Sequence, residues 1–353
     1  MLNYRDGLAD MPLYDTREQN WHIKVNANES NVGLPPLVED RVMTRLSCIS
    51  FSRYPNEEYD LLCEQLGKAY GYRQGNVIIG NGSSEIIEKV FYAFGGSGHT
   101  IVYPSPSFSM YSIYAAAANA TGVPVPLQDD YRLDVEAFVQ TVNQHNASLA
   151  VICNPNNPTG QVLTTEDVDY IAEHITCAFL VDEAYAEFCS YTAIPLLEKY
   201  QNMMIARTFS KAYALASCRV GYMLAHGNVI DMLAKTYMPY HMNVPSLIIA
   251  DTVFQMRSEF EPQIHAICAE RERMQEKYRL LAGVTVYPSN ANFILIHYVQ
   301  AEELNEDLIK NGIGVRSFGK AERLENMLRI SIGRTDENDE VYRVIKDFVE
   351  VHS

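Results

Sequence analysis

The chain has 353 residues, 47% of them hydrophobic and 20% charged, a composition typical of a globular protein large enough for two domains. Its formal net charge of −16 argues against nucleic acid and anionic membranes as partners, because both attract basic surfaces. No apolar run approaches the roughly 20 residues of a membrane helix, and the seven cysteines form no CxxC pair, so we expect a cytoplasmic protein without a metal site.

The amino-terminal part is expected to form a structured loop. Residues 1–34 contain the segment VNANESNVG, whose asparagines and glycine, with the following Pro35 and Pro36, disfavour a helix. In the next motif, SRYPN, Tyr54 precedes a proline and lies on extended backbone. Its hydroxyl either faces a ligand or packs in the core, and an amphipathic helix is predicted over residues 59–70.

The first strand of the central region covers residues 77–79 and runs into the turn GNGSSE, which is followed by a helix over 86–94. A glycine-rich turn at this position brings the free backbone N–H groups of the helix N-terminus toward an anion. Ser83 and Ser84 are therefore candidates for binding a phosphate, and either is equally suited to cap the helix.

Two further strand ends carry unusual motifs. A strand over 100–103 ends in PSPSFSMY, where Phe108 either stacks on a flat ring or fills the core. A helix over 114–120 and a strand over 123–127 follow. A strand over 149–153 then ends in NPNNPTG, and its prolines and asparagines predict a rigid turn that suits a site where an amide points in one direction.

The next two strand ends carry ionisable groups. A strand over 178–181 ends in DEAY, where Asp182 and Tyr185 can reach a single ligand. A strand over 203–207 leads into TFSKAYALASCRVGY, in which small residues surround Lys211. A lysine that is partly desolvated, or that lies near another cation, has a lowered ammonium pKa and can act as an amine nucleophile.

Hydroxyl and guanidinium groups near this lysine can together bind an anion through charge-assisted hydrogen bonds, and they belong to Thr208, Ser210 and Arg219. A strand over 220–225 completes an alternation of strands and helices, which predicts a mostly parallel sheet covered on both faces. Most of the candidate residues lie just beyond the carboxyl ends of strands, where ligands bind in such sheets.

In the last third of the chain the composition changes, and we expect a smaller α+β domain. Its helices are predicted over 246–281, 302–311 and 340–351, and its strands over 285–287, 293–296, 315–316 and 328–333. Arg316 lies at the start of a strand, whereas Arg329 lies inside an apolar strand and needs a partner there. These elements predict a large domain over 35–245 and a small domain over 1–34 and 246–353.

Together, the motifs resemble those of the fold-type I pyridoxal phosphate enzymes, and within them the histidinol-phosphate aminotransferase group. The matching phrases follow the family's order and cover nearly the whole chain: VNANES, SRYPN, GNGSSE, PSFSMY, NPNNPTG, DEAYAEF, TFSKAYALASCRVGY, VRSF and LRISIG. The resemblance implies an α/β fold with a mostly parallel seven-stranded sheet flanked by helices, plus the smaller domain. The chain departs from the family's common GLAGxRxGY at Ala214 and Ser217, and it lacks the usual proline after NE.

The resemblance also implies roles for the residues that bind the cofactor, pyridoxal 5′-phosphate. Lys211 would carry it covalently and move the proton at the reacting carbon, and Asp182 would keep the ring nitrogen protonated. Tyr185 and Asn157 would bind the phenolic oxygen of the ring, and Phe108 would stack on its face. The cofactor phosphate would be bound by Ser83, Ser84, Thr208, Ser210 and Arg219, joined by Tyr54 from a second subunit.

The same resemblance implies a homodimer and an anionic substrate. Because Tyr54 would complete the site of the neighbouring subunit, two copies of the chain would be needed for one complete site. The anionic end of the substrate would be bound by four residues in addition to Asn157, namely Arg316, Arg329, Asn28 and Tyr14.

The expected reaction is a transamination between a small-molecule amino donor and a 2-oxo acid acceptor. Histidinol phosphate and 2-oxoglutarate are the first choice, giving imidazole acetol phosphate and glutamate in histidine biosynthesis. The alternatives are an aromatic amino acid aminotransferase and an enzyme similar to threonine-phosphate decarboxylase. Outside the enzymes, the alternative is a regulatory module that binds the same cofactor.

Overall fold

The centre of the molecule is a seven-stranded sheet, as shown by a computed structural model that describes residues 8, 11 and 19–352. The strands are β1 (Ile23–Lys24), β2 (Val77–Asn81), β3 (Thr100–Ser105), β4 (Thr121–Pro126), β5 (Leu149–Cys153), β6 (Ala178–Asp182), β7 (Met203–Thr208), β8 (Val220–Ala225), β9 (Thr285–Val286), β10 (Phe293–His297), β11 (Ile313–Gly314), β12 (Arg316–Ser317) and β13 (Met327–Ser331). The α-helices are α1 (Pro36–Leu46), α2 (Glu58–Ala69), α3 (Gly82–Phe94), α4 (Met110–Ala117), α5 (Val135–Gln144), α6 (Thr165–His174), α7 (Gly227–Ala234), α8 (Val244–Gln255), α9 (Glu261–Arg279), α10 (Ala301–Lys310) and α11 (Thr335–His352).

The seven-stranded sheet has the strand order β2-β8-β7-β6-β5-β3-β4. Within it, β8 runs antiparallel to both of its neighbours, and the other pairs are parallel. The carboxyl ends of β5, β6 and β7 therefore lie side by side at one edge of the sheet. This topology confirms the mostly parallel sheet expected from the sequence.

Helices cover both faces of this sheet. Successive residues of a strand point to opposite faces and therefore contact different helical layers. Val181 belongs to the apolar layer that contains residues of α1, α2, α5, α6 and α8, whereas Leu180 belongs to the layer that contains residues of α3, α4 and α7. The α/β fold class is thereby confirmed. No helix within the described part of the chain is long and apolar enough to cross a membrane.

The carboxyl-terminal part forms a smaller antiparallel sheet with the order β12-β13-β10-β9, in which Arg316 lies directly opposite Arg329. A parallel pair of short strands, β1 with β11, joins the amino-terminal segment to this region. The N–H of Ser331 also donates to the carbonyl oxygen of Val25 at 2.9 Å. The amino-terminal loop is therefore held beside the small sheet.

The single helix predicted over 246–281 is wrong. α8 ends at Gln255, a short 3₁₀ turn follows, and α9 begins at Glu261. Pro262 lies in the first turn of α9, where backbone N–H groups have no partner within the helix. Inside one continuous helix this proline would instead remove a backbone hydrogen bond and clash with the preceding turn.

α8 packs against α1 and α2, where Asp251 accepts hydrogen bonds from the side chains of Arg45 and Gln65. α8, which begins at Val244 and crosses the predicted boundary at residue 245, therefore lies on the large sheet's own helical layer. The division of the chain into two domains at this residue stays a prediction.

Some helices begin earlier than the sequence pattern predicts. α3 begins at Gly82 rather than at residue 86, so Ser83 and Ser84 lie in its first turn rather than at the capping position. α11 begins at Thr335 rather than at residue 340. The early start of α3 matters for function, because it directs the N–H groups of its first turn toward the edge of the sheet where β5, β6 and β7 end.

Candidate active site

A cavity of about 740 Å³ lies between the carboxyl ends of β5, β6 and β7 and the small sheet. This strand-end cavity brings together thirteen of the residues singled out by the sequence, from segments far apart in the chain. They are Asn28, Ser83, Ser84, Phe108, Asn157, Asp182, Tyr185, Thr208, Ser210, Lys211, Arg219, Arg316 and Arg329.

Two predicted site residues are not part of this cavity. Tyr54 is 76% exposed and stacks on Tyr240, with ring centroids 4.6 Å apart and ring planes 17° apart. Tyr14 lies outside the described residues. The contribution of Tyr54 to the site of a second subunit stays a prediction.

Lys211 follows β7 after a short turn and extends into the cavity, where its Nζ donates to the carbonyl oxygen of Ala27 at 2.9 Å. Burial lowers the pKa of this lysine to about 8, and the positive charges of Arg329 and Arg219 act in the same direction. Glu29 and Asp182 oppose the shift. A substantial fraction of the amine is therefore neutral slightly above neutral pH, which is the form that attacks a carbonyl carbon.

Asp182 ends β6 and is buried at the base of the cavity. The hydroxyl of Tyr111 donates to its Oδ2 at 2.9 Å, and the N–H of Ala184 donates to its Oδ1 at 3.2 Å. Burial raises the pKa of Asp182 to about 6, although both hydrogen bonds oppose that shift. The carboxylate is therefore ionised at neutral pH and can hold a cationic group against the base of the cavity.

Tyr111 does not line the cavity itself but contacts Asp182, and the sequence analysis missed this contact. It is fully buried on α4, and its aromatic ring meets the edge of Phe108 with centroids 5.5 Å apart. The motif PSFSMY contains both residues, but the chain has 23 tyrosines and no local pattern marks the one that contacts Asp182. Phe108 itself is half-buried and lines the cavity, so both of its expected roles remain compatible with its position.

A candidate anion-binding corner lies where the first turn of α3 meets the segment between β7 and β8. Arg219 Nη1 donates to Ser210 Oγ at 3.3 Å, and Ser83 and Ser84 lie beside this pair in the cavity lining. Gly82 has a φ of +77°, and a side chain there would overlap the guanidinium of Arg219. The glycine therefore allows the arginine to reach the helix N-terminus, where an anion is favoured by the helix dipole and free N–H groups.

The turn after β7 is shaped by Thr208 and by an unusual alanine. Thr208 Oγ1 accepts a hydrogen bond from the N–H of Ser210 at 3.1 Å, so this hydroxyl fixes the path of the backbone toward Lys211. Ala214 has a φ of +55°, in the left-handed region that favours glycine. This backbone conformation explains why the family's common motif GLAGxRxGY has glycine at this position. The structure offers no explanation for Ser217.

On the opposite wall, Arg329 has the partners that an arginine in an apolar strand needs. Its Nη1 donates to Asn157 Oδ1 at 2.6 Å, and its Nη2 donates to the carbonyl oxygen of Asn26 at 2.7 Å. Arg316 lies opposite it on the neighbouring strand and also lines the cavity. Two like charges facing each other across strands are unfavourable alone, and an anion between them would remove the repulsion.

Asn28 lies deeper in the same wall, beside Tyr185. Its Nδ2 donates to the hydroxyl of Tyr185 at 2.9 Å, and its Oδ1 accepts from Ser331 Oγ at 3.0 Å. The ring of Tyr185 packs edge-on against Phe293, with centroids 5.2 Å apart. Ser331 was not predicted, because no local motif indicates a partner 303 residues away from Asn28.

Comparison with known sequences identifies the family. Residues 20–345 match the family described as aminotransferase class I and II. A relative named histidinol-phosphate aminotransferase, from Thermoanaerobacter pseudethanolicus, is 34% identical over 345 residues and is matched over 98% of both chains. A relative of the same name from Pyrococcus furiosus is 35% identical over 337 residues, which cover 96% of this chain and 95% of the relative.

Solved structures show the same fold. Histidinol-phosphate aminotransferase from Sinorhizobium meliloti, in complex with pyridoxal-5′-phosphate, superposes with a TM-score of 0.87 at 25% identity, over 95% of this chain and 93% of that one. L-threonine-O-3-phosphate decarboxylase from Porphyromonas gingivalis superposes with a TM-score of 0.81 at 21% identity, over 93% and 99%, and this likeness shows the fold alone. With its family match over most of its length and a cavity of this composition, the chain belongs to the class I and II aminotransferases.

Proposed function

We propose that this chain is a pyridoxal phosphate-dependent transaminase that uses histidinol phosphate and 2-oxoglutarate and forms imidazole acetol phosphate and glutamate. The observation that carries the proposal is the position of Lys211. Its amine, with a pKa lowered to about 8, lies in a cavity with a buried carboxylate, an anion-binding corner and two facing arginines. The names of the relatives, at about one-third identity over almost the whole chain, support the choice of substrate.

The residues present fit the cofactor in their chemistry. Pyridoxal phosphate has an aldehyde, a ring nitrogen and a phosphate, and the cavity offers an amine, a carboxylate and a set of hydroxyl, N–H and guanidinium donors for these groups. Gly82 supports the fit independently, because a larger residue there would push Arg219 away from the phosphate corner. When bound, the cofactor supplies a ring that accepts electrons from the reacting carbon.

In this proposal each side chain has a separate task at the cofactor. Lys211 would hold the cofactor covalently and would move the proton at the reacting carbon, which its lowered pKa favours near neutral pH. Asp182 holds the proton of the ring nitrogen. Asn157 uses its Oδ1 to accept from Arg329, so its Nδ2 is the atom left to donate to the phenolic oxygen beside Tyr185.

Arg316 and Arg329 bind the anionic end of each substrate on the other wall of the cavity. An arginine presents a planar set of donors that matches a carboxylate or a phosphate. The same pair can therefore serve both the phosphate of histidinol phosphate and the carboxylate of 2-oxoglutarate. The local positive charge of the two arginines would attract these substrates, although the net charge of the chain is −16.

The proposal includes a homodimer, a cytoplasmic location and the domain boundaries given by the sequence. Tyr54, Tyr240 and Met238 are large apolar side chains with 76%, 62% and 74% of their surface exposed, which supports a second subunit covering this region. A measured solution mass of one chain would contradict the dimer. A cytoplasmic location follows from the substrates, which are soluble metabolites inside the cell.

The substrate is tested by incubating the purified protein and cofactor with 2-oxoglutarate and one amino donor at a time. Histidinol phosphate is expected to give glutamate with the highest kcat/KM, ahead of phenylalanine and tyrosine. Threonine phosphate is included, and release of carbon dioxide from it would identify a decarboxylase instead. If glutamate forms from the aromatic amino acids but not from histidinol phosphate, the proposed substrate is wrong.

A further inference from the structure

Asn28 has an unusual position for a residue expected to contact substrate. It is almost fully buried, with 1% of its surface exposed, and its backbone has a φ of +54°. Its carbonyl oxygen accepts from Asn292 Nδ2 at 3.0 Å, which fixes the backbone at this position. Because its amide oxygen and one amide hydrogen are already engaged, Asn28 is better suited to orient a neighbour than to hold a substrate.

The direction of each hydrogen bond in this region follows from its donors. The backbone N–H of Asn28 can only donate, so Ser331 Oγ accepts from it at 2.9 Å. The hydroxyl proton of Ser331 is then donated to Asn28 Oδ1 at 3.0 Å. That bond determines which end of the amide faces Tyr185, namely Nδ2, which is a donor and can accept nothing.

The hydroxyl of Tyr185 therefore accepts a hydrogen bond from Asn28, and its own proton points elsewhere. Tyr185 lines the strand-end cavity, and its ring is held by Phe293. We propose that Ser331 and Asn28 form a relay that turns the Tyr185 hydroxyl proton toward the cavity, so that Tyr185 acts as a fixed donor to the oxygen atom bound there. The relay rests on the proposed function for the identity of that oxygen, the phenolic oxygen of the cofactor.

Ser331 and Asn28 are positioning residues in this inference, because they act through Tyr185. The charged and titratable groups that influence Tyr185 are Arg329, Asp182 and Cys153, and none of them belongs to the relay. Removing the Ser331 hydroxyl leaves these groups in place and frees the Asn28 amide to turn over. Tyr185 can then donate to Asn28 Oδ1 instead of to the cavity.

The test is a pH titration of the visible absorbance of the cofactor-loaded protein. A donor to the phenolic oxygen stabilises the ionised form of that oxygen and lowers the pKa of the proton next to it. Tyr185→Phe removes this donor and should therefore raise the midpoint of the absorbance titration by about one pH unit. Ser331→Ala should move it in the same direction by roughly half as much. Ser331→Thr keeps the hydroxyl and should titrate like the wild type.

A control variant separates the relay from a purely structural role. Ser289 is also a buried serine of this region, and its hydroxyl accepts from the N–H of Ala291 and donates to the carbonyl oxygen of Phe293. Ser289→Ala should lower the melting temperature as Ser331→Ala does, but leave the absorbance midpoint unchanged. The double variant Ser331→Ala/Tyr185→Phe should titrate like Tyr185→Phe alone, because the relay has no other target.

The outcomes distinguish the relay from the function on which it rests. If Tyr185→Phe moves the midpoint and Ser331→Ala does not, the relay is wrong and the proposed function stands. Additive shifts in the double variant would also overturn the relay, since they would place the effect of Ser331 outside Tyr185. If the wild-type protein shows no visible absorbance, or if its absorbance does not depend on Lys211, the proposed function and the relay are both wrong.

Discussion

The two walls of the strand-end cavity hold their functional side chains in different ways. On the wall formed by the large sheet, Asp182 and Thr208 are the last residues of strands, and Lys211 follows after a short turn. On the wall formed by the small sheet, Asn28 and Arg329 are held by side-chain hydrogen bonds to residues that lie 157 to 303 positions away.

The two walls should therefore respond differently to substitution. The positions of the large-sheet residues are set by backbone hydrogen bonds between parallel strands, so most single side-chain changes leave the wall in place. The orientation of the small-sheet residues depends on individual side-chain partners, so removing one hydroxyl or amide can turn a neighbour. Changes in the large-sheet wall should therefore remove chemistry or stability, whereas changes in the small-sheet wall should alter direction and protonation.

The largest expected effect is that of Lys211→Ala on the large-sheet wall. Loss of the amine should reduce turnover of histidinol phosphate by about 10³-fold or more and remove the visible absorbance of the bound cofactor, since Lys211 is the one lysine among the described residues that line the cavity. Circular dichroism should show the wild-type fold. Lys199→Ala is the matched control, because Lys199 is exposed and pairs with Asp169 at 2.9 Å. Turnover that survives in Lys211→Ala would assign the amine to another residue.

The second effect concerns the ion pair beneath the same wall. Arg207 immediately precedes Thr208, and its Nη2 lies 2.6 Å from Glu183 Oε2, while Glu187 lies 3.5 Å away on its other side. All three side chains are at least nine-tenths buried. Arg207→Met should lower the free energy of unfolding by about 3–5 kcal/mol, because two carboxylates would remain buried without a counter-charge.

Chemical denaturation at pH 7 and at pH 5 checks this prediction. The loss should be smaller at pH 5, since burial raises the pKa of Glu187 and its carboxyl takes up a proton more readily when the opposing charge of Arg207 is absent. The double variant Arg207→Met/Glu183→Gln should recover part of the stability, because one of the uncompensated charges is removed. A single variant as stable as the wild type would show that the strand ends are held without this ion pair.

The sequence predicts the large-sheet wall better than the small-sheet wall, because strand ends can be recognised locally whereas long-range side-chain partners cannot. Lys211, Asp182 and the candidate anion-binding residues were singled out from their positions near the ends of apolar strands, which is local information. Tyr111 and Ser331 were missed because their importance comes from partners far along the chain. The break before Pro262 was local and could have been read from the proline itself.

The third effect is a pH-dependent change in stability at Asp182. Burial raises its pKa from 3.8 to about 6, so the folded protein binds this proton more tightly than the unfolded chain does. The ionised carboxyl therefore destabilises the cofactor-free protein above pH 6, by about 3 kcal/mol from the size of the shift. This cost disappears as the pH falls from about 6 to about 4.

Asp182→Asn removes the titration and most of the cost. The cofactor-free variant should be more stable than the wild type at pH 8, and its advantage should shrink as the pH falls below 6. Thermal unfolding of both proteins across this range measures the difference, in which the titrating groups that do not interact with Asp182 cancel. The cofactor-loaded variant should lose most of its activity, because an amide cannot hold the ring proton. An advantage that is independent of pH would contradict the raised pKa.

The smallest effect tests the turn that carries Lys211 away from its strand. Ala214 has a φ of +55°, which is unfavourable for a residue with a Cβ atom by roughly 1–2 kcal/mol. Ala214→Gly removes this strain but gives the unfolded chain more freedom, so the net stabilisation should be about 0.5–1 kcal/mol. Ala212→Gly, at a neighbouring position outside the left-handed region, should lower stability by a similar amount. If the melting temperature rises in Ala214→Gly and falls in Ala212→Gly, backbone geometry rather than packing fixes this turn. If it falls in both variants, the strain is not at Ala214, and the contrast between the two walls is weakened.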